Sequence, residues 1–353
     1  MRLINVLVVD DSAFMRKMIS DILNAHPKMN VIATARNGKD ALEKLHELQP
    51  DVITLDVEMP IMDGMTTLQK IMVEKPTPVV MLSSLTQDGT EKTLESMTLG
   101  AVDFIAKPSG SISLNIRDKE AEIRTKVLQA VNANVNKLVE KEIKKPVIPM
   151  NTQRVASNVT KSNLIVGIGT STGGPRALQQ VVTQLPKEFP APIVIVQHMP
   201  AGFTNSLAKR LDNLSQINVK EAEDLEVLQN GTAYIAPGGK QFRVEQRGNQ
   251  LIARTTKEEP RNGHQPSVDV LFESLAELSS RQVYTVIMTG MGADGANGLI
   301  TVKQKKQDTV AFSESQETCV VYGMPQAAEK TRLVDHVVRL PDISNALVKQ
   351  IKA

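Results

Sequence analysis

The sequence has 353 residues, of which 41% are hydrophobic and 23% charged, so it is too long for one ordinary core and has the composition of a globular protein. A balance of 41 basic against 39 acidic residues gives no electrostatic reason to expect nucleic acid or a membrane surface as the main partner, and we expect no direct membrane insertion. The single cysteine, Cys319, excludes an intrachain disulfide and favours a reducing compartment. We therefore expect a cytoplasmic protein of two domains.

The first domain, residues 1–110, alternates short apolar runs with amphipathic helical patterns. Strands are predicted at Ile4–Val9, Val31–Ala35, Val52–Leu55, Val79–Leu82 and Phe104–Ala106. Helical patterns such as Asp40–Leu48 and Gly64–Met72 lie between them. Alternating βα units of this size predict a doubly wound, flavodoxin-like parallel sheet, which binds ligands at the carboxyl ends of its strands.

The composition changes across residues 111–161. Arg117–Lys145 has mixed charge and a helical pattern, whereas Pro146 and Pro149 cannot continue a helix and the following Asn151–Asn163 is polar. We predict a terminal helix of the first domain followed by a linker.

A second alternating pattern fills residues 162–353. Its strand candidates are Leu164–Ile168, Ile193–Gln197, Ala233–Ala236 and Val283–Met288, with helices between them. This pattern predicts another doubly wound parallel sheet, in a three-layer α/β domain of hydrolase type.

Acidic residues follow two strands of the first domain. Asp10 and Asp11 come after the first strand and Asp56 closes the third, so the sheet would bring them together. One aspartate at a strand end is usually only solvated, but converging carboxylates repel one another unless a cation such as Mg²⁺ joins them. Asp56 can then attack a phosphoryl donor. Lys107 and Ser83, after the fifth and fourth strands, supply a positive charge and a hydroxyl for the added group.

This ordered set resembles the response-regulator receiver family over residues 1–110. The motifs that carry the resemblance are Asp10–Ser12, Asp56–Gly64, Ser83–Ser84 and Lys107–Pro108. The resemblance implies that Asp56 accepts the phosphoryl group, that the backbone carbonyl of Glu58 completes the Mg²⁺ site and that Phe104 is an aromatic switch residue. It also implies a cis Lys107–Pro108 peptide bond.

In the second domain, strand Leu164–Ile168 runs into the glycine-rich segment Gly169–Pro175. The glycines permit a sharp turn and Pro175 suits the first turn of a helix. Ser171 would then lie at a helix N-terminus, where the partial positive charge favours a developing oxyanion. This motif alone favours a nucleophile no more than it favours a helix cap or a phosphate-loop residue at Ser171.

The partners of Ser171 favour catalysis. His198 follows a buried strand and would share the carboxyl edge with Ser171, so we prefer it as general base over His264, which lies in a loop that opens a helix. Asp294 follows another strand of the same sheet and would orient the histidine. A nucleophile, a base and an orienting acid at one rim are what acyl transfer requires.

Alternatives to this interpretation remain at this point. Gly169–Gly173 matches the nucleophile elbow of α/β-hydrolases, but that family has the order Ser, acid, His, so we reject its fold. Gly290–Gly295 matches a dinucleotide fingerprint, although Asp294 would repel a pyrophosphate. A receiver that controls a non-enzymatic output, either a DNA-binding or a nucleotide-binding module, is the competing class. The lack of a basic cluster or helix-turn-helix pattern argues against DNA.

Several motifs of the second domain resemble the chemotaxis protein-glutamate methylesterases. They are Gly169–Pro175, Gln197–Pro200, Tyr234–Gly238, His264–Phe272 and Thr289–Gly295. The resemblance implies hydrolysis of glutamate methyl esters on the cytoplasmic domains of chemoreceptors, with release of methanol, and in many members deamidation of receptor glutamines. It also implies that Thr172 and His264 line the pocket, that the Met291 backbone N–H is an oxyanion donor and that the catalytic domain needs no cofactor.

Together the two resemblances imply receiver control, with a chemotaxis histidine kinase as phosphodonor. We expect the unphosphorylated receiver to pack over the rim that carries Ser171. Phosphorylation of Asp56 would draw Ser83 and Phe104 inward and weaken that contact.

Overall fold

The computed structural model describes residues 2–107, 114–135 and 163–352. The Lys107–Pro108 peptide bond and most of the predicted linker lie outside these ranges. Within them, no helix is both long enough and apolar enough to cross a membrane.

The first domain is a five-stranded parallel sheet between two layers of helices. Its strands pair in the order β2-β1-β3-β4-β5, which confirms the predicted doubly wound fold. The elements are β1 (Ile4–Val9), α1 (Ala13–Asn24), β2 (Met29–Ala35), α2 (Gly38–Leu48), β3 (Val52–Asp56), α3 (Gly64–Glu74), β4 (Val79–Ser83), α4 (Gln87–Leu99), β5 (Asp103–Ala106), a 3₁₀ helix (Leu114–Lys119) and α5 (Glu120–Val131).

Side-chain caps fix the points at which this domain's helices leave the sheet. Ser12, Asn37, Asp63 and Thr86 each accept a hydrogen bond from a backbone N–H in the first turn of α1, α2, α3 and α4. Such caps satisfy N–H groups that have no partner inside the helix. The loops that follow β1, β2, β3 and β4 therefore end at defined residues.

The second domain is built around a seven-stranded parallel sheet of order β14-β13-β12-β6-β7-β9-β8. Its elements are β6 (Leu164–Thr170), α6 (Gly174–Val182), β7 (Ile193–Gln197), α7 (Phe203–Leu214), β8 (Asn218–Glu221), β9 (Thr232–Ile235), β10 (Gln241–Arg247), β11 (Gln250–Thr256), α8 (Val268–Ala276), β12 (Gln282–Ile287), α9 (Ala296–Lys305), β13 (Val310–Glu314), α10 (Met324–Lys330), β14 (His336–Val338), a 3₁₀ helix (Leu340–Asp342) and α11 (Ile343–Lys352). Strands β10 and β11 form a separate antiparallel hairpin.

The sheet has a hydrophobic layer on each face, as a three-layer domain requires. Ile165 in β6 belongs to the cluster formed with α8, α9 and the hairpin, whereas Val166 and Ile168 pack with α6, α7 and α11. Strand β6 is central: β7 lies on one side and β12 on the other. The chain changes direction at this point, which is where ligands bind in open α/β sheets.

Glycines in β6 allow helix α8 to lie close to the sheet. A Cβ at Gly167 would come within 2.7 Å of Leu275, and one at Gly169 within 2.3 Å of Val268. Strand β6 includes both glycines and continues to Thr170, two residues beyond the predicted end at Ile168.

Helices α8 and α9 also approach each other closely, at Gly298. A Cβ there would lie 2.7 Å from the Cβ of Phe272 and 3.0 Å from the backbone of Asp269. Gly→Ala inside a helix ordinarily stabilises by about 1 kcal/mol. Here we expect Gly298→Ala to destabilise the protein by about 1–3 kcal/mol, because the methyl group overpacks the contact. Thermal unfolding would measure the change, with Thr301→Ala on the same helix as control; a higher melting temperature for Gly298→Ala would contradict the prediction.

Candidate active site

The residues proposed for acyl transfer lie at the carboxyl edge of the second sheet, where His198 contacts Asp294 and no hydrogen bond joins Ser171 Oγ to His198 within the described ranges. Ser171 directly follows β6 and His198 directly follows the neighbouring β7. Backbone hydrogen bonds fix both: Ser171 N–H donates to the carbonyl of Thr289 at 3.0 Å, and His198 N–H donates to the carbonyl of Thr170 at 3.2 Å. Ser171 is half-buried.

His198 forms an ion pair with Asp294, which enters from the loop after β12. His198 Nε2 lies 2.8 Å from Asp294 Oδ2, and the two side chains are only 9% and 1% exposed. Nε2 therefore carries the proton that the carboxylate accepts. His198 Nδ1 is buried and has no hydrogen-bond partner within the described ranges. An imidazole with one nitrogen held by a carboxylate has its other nitrogen available to act as a general base.

The N-terminus of helix α8 holds the Asp294 carboxylate. Its Oδ1 accepts hydrogen bonds from Ser267 Oγ at 2.8 Å and Asp269 N–H at 3.0 Å, and its Oδ2 accepts one from Val268 N–H at 2.7 Å. Burial alone would raise the pKa of Asp294, but the hydrogen bonds from His198 and these backbone groups lower the pKa to about 2. Asp294 is therefore ionised at neutral pH.

Asp269, in the first turn of α8, caps the N-terminus of α9 in the same way. Its Oδ1 accepts the N–H groups of Gly295 at 2.8 Å and Gly298 at 2.7 Å. Burial is the main cause that raises the pKa of Asp269. Two carboxylates thus cap each other's helices. Sequence reasoning missed Ser267 and Asp269, although a serine followed by an acidic first turn is a recognisable helix start.

His264 lies face to face with His198. The ring centroids are 3.9 Å apart and the planes differ by 6°. Burial, and next the neighbouring His198, lower the pKa of His264 to about 4, so its ring is neutral at pH 7. Of the two histidines, His198, which we preferred as the base, contacts Asp294, and His264 covers the His198 ring.

Two further predicted residues, Thr172 and Met291, flank Ser171. A Cβ at Gly290 would lie 2.8 Å from Ser171 Cβ and 2.4 Å from Met324 Sδ, so the loop that carries Met291 reaches the serine only because position 290 is glycine. Met291 is 40% exposed. Thr172 is buried.

The first domain touches this rim. Thr172 Oγ1 donates to Asp103 Oδ2 at 2.6 Å. The rings of Phe104 and Phe203 stack with centroids 4.4 Å apart. Phe203 begins helix α7, which follows the His198 loop. The described structure therefore agrees with the expected packing of this domain against the rim that carries Ser171.

The predicted phosphoryl site lies at the carboxyl edge of the first sheet. One carboxylate oxygen from each of Asp10, Asp11 and Asp56 lies within 4.8 Å of the other two. Lys107 Nζ is 2.9 Å from Asp10 and 2.8 Å from Asp56. Burial raises the pKa of Asp56 to about 6, with Lys107 opposing this and Asp10 adding to it.

These groups fit a hard divalent cation. Burial alone would lower the pKa of Lys107, but Asp56 and Asp10 raise it, so its ammonium is charged. One ammonium against three carboxylates leaves negative charge for a cation, and carboxylate oxygens are the ligands that Mg²⁺ prefers. Ser83 Oγ is fully buried and donates to the carbonyl of Gly89 at 2.9 Å.

The first sheet therefore carries a cluster of carboxylates beside Lys107, and the second carries Ser171 and the His198–Asp294 pair at one edge. Family models match both parts: a response regulator receiver domain over residues 6–117 and a CheB methylesterase over residues 166–347. The chain belongs to the CheB methylesterase family.

Relatives match along the whole chain. The protein-glutamate methylesterase/protein-glutamine glutaminase of Geobacillus kaustophilus is 55% identical over 351 residues, with 99% of each chain covered. That of Bacillus subtilis is 47% identical over 358 residues, again with 99% of each chain covered. The crystal structure of the Thermotoga maritima CheB methylesterase catalytic domain is 42% identical, with a TM-score of 0.51, and the match covers 53% of this chain and 97% of that one. These matches support the enzyme and not the DNA- or nucleotide-binding alternative.

The contacts of Asp294 predict a pH-dependent contribution to stability. A pKa lowered from 3.8 to about 2 corresponds to about 2 kcal/mol, present above pH 4 and lost as the pH falls through 2. We expect Asp294→Asn to be less stable than the wild type at pH 7, with a difference that narrows between pH 4 and pH 2. Denaturant unfolding at pH 7 and pH 3 would measure it, with the exposed Asp308→Asn as control. A difference independent of pH would contradict this assignment.

Proposed function

We propose that this protein is a phosphorylation-activated methylesterase, which hydrolyses glutamate methyl esters on the cytoplasmic domains of chemoreceptors and serves chemotactic adaptation. The observation that carries the proposal is the buried His198–Asp294 pair, at the sheet edge where Ser171 directly follows the adjacent strand β6. The relatives' names supply the substrate class, and their second activity suggests that receptor glutamines are deamidated as well.

Ser171 is the nucleophile in this mechanism. Its Oγ attacks the ester carbonyl while His198 Nδ1 takes the hydroxyl proton, which gives a tetrahedral oxyanion. The intermediate collapses, the proton passes from His198 to the leaving oxygen, and methanol departs from an acyl-enzyme. Water then attacks the acyl-enzyme with His198 again as base, which releases the glutamate side chain and restores Ser171.

Asp294 acts through His198. Its carboxylate fixes the tautomer with the proton on Nε2 and stabilises the imidazolium that forms during each attack. His264, stacked on the same ring, excludes water from it and lines the pocket with Thr172. The backbone N–H of Met291 and the N-terminus of α6 stabilise the oxyanion. These steps use side chains and backbone N–H groups of this domain together with water.

The receiver supplies control. Asp10, Asp11, Asp56 and the backbone carbonyl of Glu58 would hold Mg²⁺, which when bound offsets the charge of an incoming phosphoryl group. An Asp56 carboxylate oxygen attacks the phosphorus of the phosphohistidine of a chemotaxis histidine kinase, the N–P bond breaks, the kinase histidine leaves, and Asp56 becomes an aspartyl phosphate. Lys107 and Ser83 would then contact the new oxygens.

Receiver docking restrains the hydrolase in the unphosphorylated state. Asp103 accepts a hydrogen bond from the hydroxyl of Thr172, the residue next to the nucleophile, and Phe104 stacks on Phe203. Movement of Ser83 towards the phosphoryl group frees space for Phe104 to turn inward, away from Phe203. The contact is thereby weakened and the rim becomes accessible.

The nucleophile is tested by methanol release from methylated chemoreceptor membranes in the presence of Mg²⁺ and a small phosphodonor. We expect Ser171→Ala to lower the rate by at least about 10⁴-fold, since the acyl-enzyme cannot form. Ser279→Ala, an exposed serine of the same domain, is the matched control. If phosphorylated wild type released no methanol, the substrate assignment would fall and glutamine deamidation would be tested next.

Receiver control is tested by Asp56→Asn. We expect the phosphodonor to stimulate the wild type by about 5- to 150-fold, the usual range of coupling between two sites. Asp56→Asn should hydrolyse equally slowly with and without phosphodonor, whereas the surface variant Asp21→Asn should respond as the wild type does. Stimulation that survives Asp56→Asn, or its absence in the wild type, would refute this control.

A further inference from the structure

A buried threonine, Thr289, lies between the nucleophile loop and the rest of the second domain, and the mechanism above does not use its side chain. It is 1% exposed and follows β12. Its hydroxyl donates to the carbonyl of Thr172 at 3.0 Å, with the carbonyl of Val321 the next acceptor at 3.3 Å. The same oxygen accepts a hydrogen bond from Val321 N–H at 3.0 Å. One hydroxyl thus joins the residue after Ser171 to a distant segment.

The backbone of Thr289 is fixed independently of that hydroxyl. Its carbonyl accepts Ser171 N–H at 3.0 Å and Thr170 Oγ1 at 2.9 Å. Its N–H donates to Glu314 Oε2 at 2.8 Å. Removing only the hydroxyl would therefore leave the backbone anchors of Thr289 in place.

The segment on the far side of the hydroxyl is also held firmly. Gly290 N–H donates to the carbonyl of Val321 at 3.0 Å, and Asn134 N–H of the first domain donates to the carbonyl of Val320 at 3.2 Å. A Cβ at Gly173 would lie 2.7 Å from Val320 Cβ and 3.2 Å from Thr289 Oγ1. The nucleophile loop therefore packs directly against Val320 and Thr289.

We infer that Thr289 is a positioning residue for Ser171. Its hydroxyl holds the Thr172 peptide in place by joining it to Val321 through hydrogen bonds. The inference rests on the proposed function, in which Ser171 is the nucleophile. Without the hydroxyl, the Thr172 carbonyl and Val321 N–H lose a buried partner, and the loop must move to recover one. A displacement of about 1 Å at a reacting group is enough to slow a reaction by roughly 100-fold.

Thr289→Val removes the hydroxyl at nearly constant volume and is tested in the full chain. Its kcat for methyl ester hydrolysis, with Mg²⁺ and a small phosphodonor, should fall by about 10- to 100-fold, while KM changes by less than about twofold. The rate at which a fluorophosphonate labels Ser171 should fall in parallel. Thr289→Ser keeps the hydroxyl and should restore most of both rates.

Thr285→Val is the matched control. Thr285 lies in β12, is also 1% exposed, and its hydroxyl has no hydrogen-bond partner in the described part of the chain. The same substitution there should leave kcat within about twofold of the wild type, because no buried group loses a partner. If Thr289→Val does not fold, Thr289→Ala against Thr289→Ser makes the same comparison.

Three outcomes would overturn the inference. Thr289→Val with wild-type kcat and labelling rate would do so while the methylesterase assignment stood. A raised KM with unchanged kcat would assign the hydroxyl to substrate binding instead. Wild type that neither hydrolyses the ester nor reacts with the fluorophosphonate would remove the proposed function and the inference together.

Discussion

The catalytic geometry depends on one electrostatic arrangement, the Asp294 carboxylate at the N-terminus of α8. An unpaired buried carboxylate would be strongly unfavourable, but Asp294 receives three hydrogen bonds from the start of α8 and a fourth from His198. Because Asp269 caps α9 in return, neither helix can shift without exposing the other's carboxylate. The fold thus fixes a negative charge at a defined point, and His198 takes its orientation from that charge.

The two domains place their chemistry by the same rule. In each, the proposed site residues end or follow neighbouring parallel strands on either side of the point where the chain changes direction: β1 and β3 in the receiver, β12, β6 and β7 in the hydrolase. Parallel strands present all their carboxyl ends at one edge, so residues distant in sequence converge there. In the receiver the convergent groups are carboxylates and favour a cation. In the hydrolase the corresponding groups are a serine hydroxyl, an imidazole and one carboxylate.

This rule is also why so much could be predicted from the sequence. Apolar runs followed by Asp10, Asp56, Ser171 and His198 are local signals, and the parallel sheet assembles them. Strands β8, β10, β11, β13 and β14 were not predicted; β8 and β14 are short edge strands, and the polar β10–β11 hairpin lies outside the main sheet.

Contacts between distant segments gave no local signal either. The stacking of His264 on His198 depends on the loop before α8, and the Asp103–Thr172 hydrogen bond depends on how the domains dock. Helix capping at Ser267 was the exception, since its sequence pattern is visible in retrospect.

The docking contact between the domains includes a hydroxyl, an aromatic stack and a backbone hydrogen bond from Asn134 to Val320. The described contacts include a neutral hydroxyl donating to Asp103 and one aromatic stack, the latter contributing about 0.5–1.5 kcal/mol beyond its buried area. To move a two-state equilibrium from 1:99 to 99:1, phosphorylation must favour the open state by about 5.5 kcal/mol. The loss of the Phe104 stack supplies a part of that difference, and new charged contacts of the phosphoryl group with Lys107 can supply more. On the proposed mechanism the receiver must both cover the rim and leave it, and the loss of the Phe104 stack lowers the free energy needed to leave.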